Sequence, residues 1–214
     1  MCIRLLRRKA LQVFESSPLR TLDWQFVTVF VDGWTVPAGS HAAFSCLREH
    51  PYIRAFIGRL RRQEGDVLRV FGSIETVYKT VDNRPVGKPF HLHLLVSGRV
   101  REQIDWAAKQ SFPLATSVAV PLRIEEVGTG PDDVLNVAGY AFKQPYWKRS
   151  YPSLDVHHSR KQLPKLPELA ELVGNLGAHP WNGRLVLTGI RLEQGRFCLV
   201  ENKSTSTAGK RRRP

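Results

Sequence analysis

Two histidines one residue apart stand near the middle of the sequence, in the segment Phe90-His91-Leu92-His93-Leu94-Leu95-Val96. The length and apolar character of this segment predict a β-strand. Because side chains alternate between the faces of a strand, His91 and His93 point to one face and Leu92 and Leu94 to the other. Two neighbouring imidazoles on a rigid strand provide half of a divalent-metal site. A bare pair also occurs among structural histidines, so the flanking elements decide between the two interpretations.

A carboxylate in the preceding strand is the third candidate ligand. A strand is predicted over Val67 to Tyr78. The polar stretch from Lys79 to Lys88 then turns the chain back into the histidine strand. Two strands joined in this way form an antiparallel β-hairpin. Ser73, Glu75 and Val77 share one face of the first strand. If that face is the histidine face, Glu75 lies beside both imidazoles.

A candidate nucleophile lies on a helix predicted over residues 134–144. Asn136, Tyr140 and Lys143 are spaced at i, i+4 and i+7 and therefore share one helix face. A tyrosine has a pKa of about 10, so it needs a metal-polarised phosphate or a neighbouring cation to act as a nucleophile. Tyr146 is the alternative nucleophile, although the proline before it places it beyond the helix. The structural alternative is a half-buried tyrosine beside a solvated lysine.

The charge of the chain indicates a polyanionic partner. Its 214 residues include 32 Lys and Arg against 19 Asp and Glu, a formal net charge of +13. Basic residues are spread along the chain, and no segment reads as a basic amphipathic surface helix. We therefore expect nucleic acid rather than a membrane surface as the partner.

Other sequence features narrow the class of protein. No apolar run reaches the length of a membrane span, and the basic start lacks a signal-peptide core, which predicts a soluble intracellular protein. That location is the cytoplasm or nucleoid in a prokaryote and the nucleus in a eukaryotic or viral system. Cys2, Cys46 and Cys198 form no CxxC pair, so neither a disulfide framework nor a cysteine zinc site is expected.

The order of predicted elements is strand, helices, two strands, helix, strand, helix, and then further elements. This order predicts an α+β fold with a central antiparallel β-sheet flanked by helices. The first strand is predicted over Trp24 to Val31 and ends at Asp32-Gly33, and helical spacing over residues 41–62 is interrupted by Pro51. A strand is also expected over Val118 to Val127.

The expected organisation has four parts. They are a basic N-terminal segment (1–20), a core that carries the candidate ligands and nucleophile (21–150), a C-terminal extension of the same domain with a helix and a β-hairpin (151–201), and a basic disordered tail (202–214).

In chain order, these features resemble the three motifs of the HUH endonucleases. This superfamily includes rolling-circle replication initiators and related transposases and relaxases. The segment FVTVFVD is a loose form of the first motif, HLHLLV resembles the second, and Tyr140-Ala141-Phe142-Lys143 resembles the third. Leu68 to Glu75 also looks like the strand before the histidine motif in plasmid initiators. The resemblance covers about residues 24–148.

The resemblance implies a fold similar to the RNA-recognition fold and a Mg²⁺ or Mn²⁺ site at Glu75, His91 and His93. It implies that Tyr140 attacks single-stranded DNA at an origin or transposon-end hairpin. The products are a 5′-phosphotyrosine linkage and a free 3′-hydroxyl, while Lys143 orients the phosphate. The candidate nucleic-acid contacts are Arg59, Arg61, Arg62, Trp147, Lys148 and Arg149. No GxxxxGK[ST] motif is present, so we expect a helicase or replication machinery to be supplied in trans.

Two other functions fit the same residues. One is a non-catalytic protein of the same fold that binds single-stranded DNA or RNA. The other is a hydrolytic metal-dependent phosphodiesterase, in which water attacks and Tyr140 is structural.

Overall fold

The computed structural model describes residues 8, 11–12, 14–15, 19, 22–40, 50–64, 68–98, 101–130, 132–141, 148–153, 160–177, 184–194 and 196–200. These residues form an α+β structure with ten strands and four helices. The strands are β1 (Trp24–Pro37), β2 (Val70–Thr76), β3 (Tyr78–Val81), β4 (Arg84–Ser97), β5 (Leu122–Glu126), β6 (Lys148–Tyr151), β7 (Arg160–Gln162), β8 (Leu185–Thr188), β9 (Ile190–Glu193) and β10 (Arg196–Leu199). The helices are α1 (Pro51–Glu64), α2 (Arg101–Lys109), α3 (Asp133–Ala141) and α4 (Leu166–Gly177).

The long strand β4 is the centre of an eight-stranded sheet. On one side it pairs with β1, which in turn pairs with the edge strand β5. On its other side it pairs first with β3 and then with β2, and β2 pairs with β8. All these pairs are antiparallel, as the sequence predicts.

The sheet as a whole is mixed, because β6 pairs with β3 in the parallel direction and carries β7 at its far edge. The prediction of a purely antiparallel sheet was therefore wrong for this part. A parallel pair needs a long crossover connection, and here the chain from β4 through α3 provides it. Such a long-range pairing leaves no trace in local periodicity.

The two faces of the sheet carry different layers. Leu92 and Leu94 of β4 lie in one hydrophobic core with Phe56 of α1 and Ile104 of α2, and we call this side the leucine face. On the opposite side, which we call the histidine face, Leu95 belongs to a second core that includes residues of α3. The histidines of β4 therefore lie on the side of the sheet that α3 covers.

Several element boundaries differ from the sequence prediction. β1 does not end at Asp32-Gly33 but continues to Pro37 through a register shift after Phe30, where Gly33 adopts a φ of 73°. The β3–β4 turn is tight, since Asp82 and Asn83 both have positive φ, as in a two-residue hairpin turn. The predicted strand 118–127 is shorter, and α1 begins at Pro51, a favoured first helical position.

The C-terminal strands also differ from the single hairpin that the sequence predicts. β9 and β10 form that hairpin, but Leu185–Thr188 is a separate strand, β8, paired with β2. Gly189 divides the two with a φ of 65°. A Cβ atom at this position would lie 2.5–2.8 Å from atoms of Arg69 and Leu68, so the tight turn requires glycine.

Helix α4 is joined to the sheet by two lysine–glutamate ion pairs. Lys88 Nζ lies 3.0 Å from Glu171 Oε2, and Lys148 Nζ lies 2.6 Å from Glu168 Oε1. Lys88 is fully buried and Glu171 retains 18% exposure. Burial raises the pKa of Tyr78, and the nearby carboxylates of Glu171 and Glu168 raise it further. The acidic side chains of α4 are thus directed at the sheet.

We predict that Glu171→Ala lowers the free energy of unfolding by about 3–5 kcal/mol, because it leaves the charge of Lys88 buried without its carboxylate. The double variant Lys88→Met/Glu171→Leu should recover most of this loss. Urea denaturation measures both. As a control, Asp105→Ala breaks the exposed Lys109–Asp105 pair and should cost less than about 1 kcal/mol. Equal losses from Glu171→Ala and Asp105→Ala would contradict the prediction.

Candidate metal centre

The pairing of β2 with β4 places three potential metal ligands together. Glu75 lies directly opposite His91, and Ser73 lies opposite His93, so the predicted antiparallel pairing is confirmed and the register, which the sequence left open, places Glu75 on the face of the two histidines. Glu75, His91 and His93 are 2%, 5% and 4% exposed. Glu75 Oε2 lies 3.6 Å from His93 Nε2 and 3.9 Å from His91 Nε2. One ligand atom from each residue lies within 4.8 Å of the others.

This geometry fits a divalent cation. Two ligands that each lie about 2.1 Å from one ion are at most about 4.2 Å apart, so the two carboxylate–imidazole separations are already in range. Two imidazoles and a carboxylate form a mixed nitrogen and oxygen donor set, which several divalent metals accept. Glu75, His91 and His93 could therefore hold a metal ion. The prediction that these three residues form a group of potential ligands is confirmed.

The neighbouring strand β1 orients one of the imidazoles. Thr28 lies opposite His93, and its hydroxyl Oγ1 is 3.0 Å from Nδ1 of that ring. When Nδ1 is protonated and donates a hydrogen bond to Thr28 Oγ1, the lone pair of Nε2 faces Glu75. Thr28 is thus a positioning residue for a histidine ligand, a role that the sequence analysis missed.

Two phenylalanines of β1 hold the imidazole rings in place. Phe26 stacks on His93 with ring centroids 5.5 Å apart, and Phe30 stacks on His91 at 4.9 Å. Phe26, Thr28 and Phe30 alternate along β1 and therefore share its histidine face. These three residues alternate within the segment that resembles the first motif. That alternation was the sequence signal from which their contacts with the histidines could have been predicted.

Tyr140 lies at the exposed edge of the cluster. Its ring centroid is 5.3 Å from that of His93 and 5.8 Å from that of Phe26, and the residue is 45% exposed. The hydroxyl of Ser73, on the strand that carries Glu75, donates a hydrogen bond to the carbonyl of Ala141. This bond ties the C-terminal turn of α3 to β2, so Tyr140 is held beside the candidate ligands.

The other sequence-predicted residues are distributed differently. Lys143, Tyr146 and Trp147 lie outside the residues that the structure describes. The arginines predicted to contact nucleic acid, Arg59, Arg61 and Arg62, belong to α1, which packs on the leucine face. The structure therefore places these three arginines in the layer across the sheet from the candidate metal ligands.

Adjacent basic residues at the start of β6 have opposite environments. Lys148 is 8% exposed and bonded to Glu168, whereas Arg149 is exposed. Arg149 lies opposite Lys79 of β3. Of the two predicted nucleic-acid contacts in this strand, only Arg149 presents its side chain at the surface.

Comparisons with protein-family models, with curated proteins and with solved structures found no match to this chain. Among the described residues, no helix has the length and apolar character needed to cross a membrane.

We predict that Mn²⁺ at about 100 times its dissociation constant raises the melting temperature by about 5–10 °C, because binding to the folded state adds about 2.7 kcal/mol to the free energy of unfolding. Glu75→Gln should abolish the rise, since it replaces the only carboxylate of the described cluster with an amide. Differential scanning calorimetry with and without Mn²⁺ measures it. The control Glu125→Gln changes an exposed carboxylate of β5 and should retain the rise. An unchanged rise in Glu75→Gln would exclude this metal centre.

We also predict that Thr28→Val weakens Mn²⁺ binding by about 10-fold, because valine preserves the shape of the side chain but cannot accept a hydrogen bond from His93 Nδ1. Isothermal titration calorimetry compares the affinities. Thr35→Val, at an exposed position of the same strand, is the matched control. Equal affinities for the two variants would show that Thr28 does not position the ligand.

Proposed function

We propose that this protein is a metal-dependent endonuclease that nicks single-stranded DNA through Tyr140, in the manner of the HUH endonucleases. The observation that carries the proposal is the position of Tyr140, whose half-exposed ring contacts His93 at the edge of a buried Glu–His–His cluster. A nucleophile beside a potential metal site, reachable from solvent, is the arrangement that phosphoryl transfer to tyrosine requires.

In this proposal, each residue of the site has a distinct role. Glu75, His91 and His93 hold the cation, and Thr28 keeps His93 in the tautomer that presents Nε2. A bound Mg²⁺ or Mn²⁺ supplies a Lewis acid that polarises the scissile phosphate and offsets the charge that develops on it. Tyr140 stands at the open side, where a phosphate held by the cluster would face its hydroxyl.

The reaction is a transesterification with a balanced exchange of bonds. A bond forms between Tyr140 Oη and the phosphorus atom, and the bond from phosphorus to the 3′-oxygen of the preceding nucleotide breaks. The phenol proton is released to solvent, and the departing 3′-oxygen takes up a proton to become a free hydroxyl. The DNA 5′-phosphate remains on Tyr140, so the reverse reaction rejoins the strand without an external energy source.

Two further features support a nucleic-acid substrate. The net charge of +13 favours a polyanion. The resemblance of the segments around Phe26, His91 and Tyr140 to the HUH motifs, in the same chain order, supports single-stranded DNA as the substrate. Lys143, three residues after the proposed nucleophile, is the proposed cation beside the phosphate.

We predict that wild-type protein incubated with Mn²⁺ and labelled single-stranded oligonucleotides of randomised sequence gives a detergent-stable protein–DNA band on a denaturing gel. Tyr140→Phe should abolish this band, because phenylalanine lacks the attacking oxygen. Tyr52→Phe, which changes a tyrosine packed against the core of the leucine face, is the matched control, and Tyr146→Phe tests the alternative nucleophile. Peptide mass spectrometry of the wild-type band should locate the nucleotide on Tyr140.

Other outcomes would overturn parts of the proposal. Loss of the band only in Tyr146→Phe would retain the reaction and move the nucleophile. Cleaved DNA without attached protein would indicate a hydrolase in which water attacks. Metal-independent binding of DNA or RNA without cleavage would indicate a binding protein of the same fold.

A further inference from the structure

The histidine face continues beyond the candidate metal centre into the β3 part of the sheet. Glu75 lies opposite His91, and Lys79 lies opposite Gly87. Both strands advance by four residues between these two pairs, so the register continues without an inserted residue. Lys79 is four residues from Glu75 and therefore points to the same face. At about 3.3 Å per residue, it lies roughly 13 Å along the sheet from the cluster.

Two further cations continue the row from Lys79 across the sheet. Arg149 of β6 is the pairing partner of Lys79, and Lys161 of β7 is the partner of Arg149. Partners in adjacent strands share a face, so all three side chains lie on the histidine face. We call Lys79, Arg149 and Lys161 the basic strip. Strand spacings of about 4.8 Å give it a width of roughly 10 Å between the outer strands.

The charges around this part of the sheet are segregated by face. The acidic residues of α4, Glu168 and Glu171, pair with Lys148 and Lys88, which are both buried away from the strip. Arg149 and Lys161 are exposed, and Lys79 is half-buried. The basic strip therefore places three cationic side chains on the face that also holds the candidate metal ligands.

Between the strip and the cluster, the described strand residues on the histidine face carry no charged side chain. On β4 these residues are Gly87 and Pro89, which pair with Pro37 and Thr35 of β1. Next to the strip, the ring of Tyr151 lies on the same face, with Lys79 Nζ 5.1 Å from its centroid. Cations and an aromatic ring on one face of a sheet are the features that bind single strands, because they contact the backbone and stack on unpaired bases.

We infer that the basic strip binds the phosphate backbone of single-stranded nucleic acid on one side of the phosphate held at Glu75, His91 and His93. This inference rests on the proposed function for the position of the scissile bond. A strand that starts at the cluster and follows β4 reaches Lys79, Arg149 and Lys161 a few nucleotides later, with Tyr151 available for base stacking.

The test compares two triple variants with the same change in charge. Lys79→Gln/Arg149→Gln/Lys161→Gln neutralises the strip, and Arg54→Gln/Arg101→Gln/Lys109→Gln neutralises three exposed cations of α1 and α2 on the leucine face. Binding of a fluorescent single-stranded oligonucleotide is measured by anisotropy in EDTA at several salt concentrations, so that cleavage plays no part. The strip variant should bind at least about 10-fold more weakly. The slope of the logarithm of the binding constant against the logarithm of the salt concentration should become shallower by about 2, because each lost phosphate contact removes about 0.7. The control should change affinity by less than about 3-fold.

A smaller pair of variants protects the test against misfolding. If the strip triple has a lowered melting temperature through loss of the Lys79–Tyr151 contact, Arg149→Gln/Lys161→Gln is compared with Arg54→Gln/Arg101→Gln. Equal losses in the strip and control variants would overturn the inference. So would a larger loss in Arg61→Gln/Arg62→Gln than in Arg149→Gln/Lys161→Gln, or displacement of the oligonucleotide by polyglutamate of equal charge at equal concentration.

The test separates this inference from the proposed nicking activity. Selective loss of binding in the strip variant without any covalent adduct in the wild type would retain the strip and reject the endonuclease. A covalent adduct together with equal binding losses in strip and control variants would retain the endonuclease and reject the strip.

Discussion

Glu75 and His91 are neighbours because β2 and β4 pair in one particular register, and most of the chemistry of the molecule depends on that register. A slip of one residue would turn the carboxylate to the leucine face, where α1 and α2 pack. Gly72 contributes to this pairing. A Cβ atom built there would overlap the carbonyl oxygen of His93, so the two backbones can approach this closely only because the residue is glycine. The same backbone contact thus brings the candidate ligands together.

The candidate centre is deeply buried, and an exposed tyrosine lies beside it. Burying a carboxylate within the sheet costs several kcal/mol unless cationic partners offset the lost hydration. A cation held by Glu75 and both imidazoles would offset this cost. Thr28, Phe26 and Phe30 fix the rings from β1, while Tyr140 leaves an exposed edge. The rigid sheet therefore supplies the fixed ligand geometry, and the end of α3 places the exposed ring of Tyr140 beside it.

Local periodicity was sufficient to predict the ligand group, because the two-residue repeat of a strand places His91, His93 and Glu75 on defined faces. It could not predict partners that arise from distant pairing. The hydrogen bond between Thr28 and His93 joins residues 65 positions apart. Alternation shows that Lys148 and Arg149 face opposite ways, but only the parallel pairing of β6 with β3 shows which one meets α4. For the same reason, the strand β8 beside β2 was not foreseen.

The position of β8 has a consequence for the order in which the site can form. The strand that carries Glu75 lies between β4 and β8, which are encoded about 90 residues apart. During synthesis the histidine strand and its hairpin partner leave the ribosome well before Leu185 does. Until then, one edge of β2 lacks its ladder of hydrogen bonds and is open to pairing with other chains. The edge of β2 from Val70 to Ser73, just before Glu75, is therefore the last part of this sheet to be paired within its own chain.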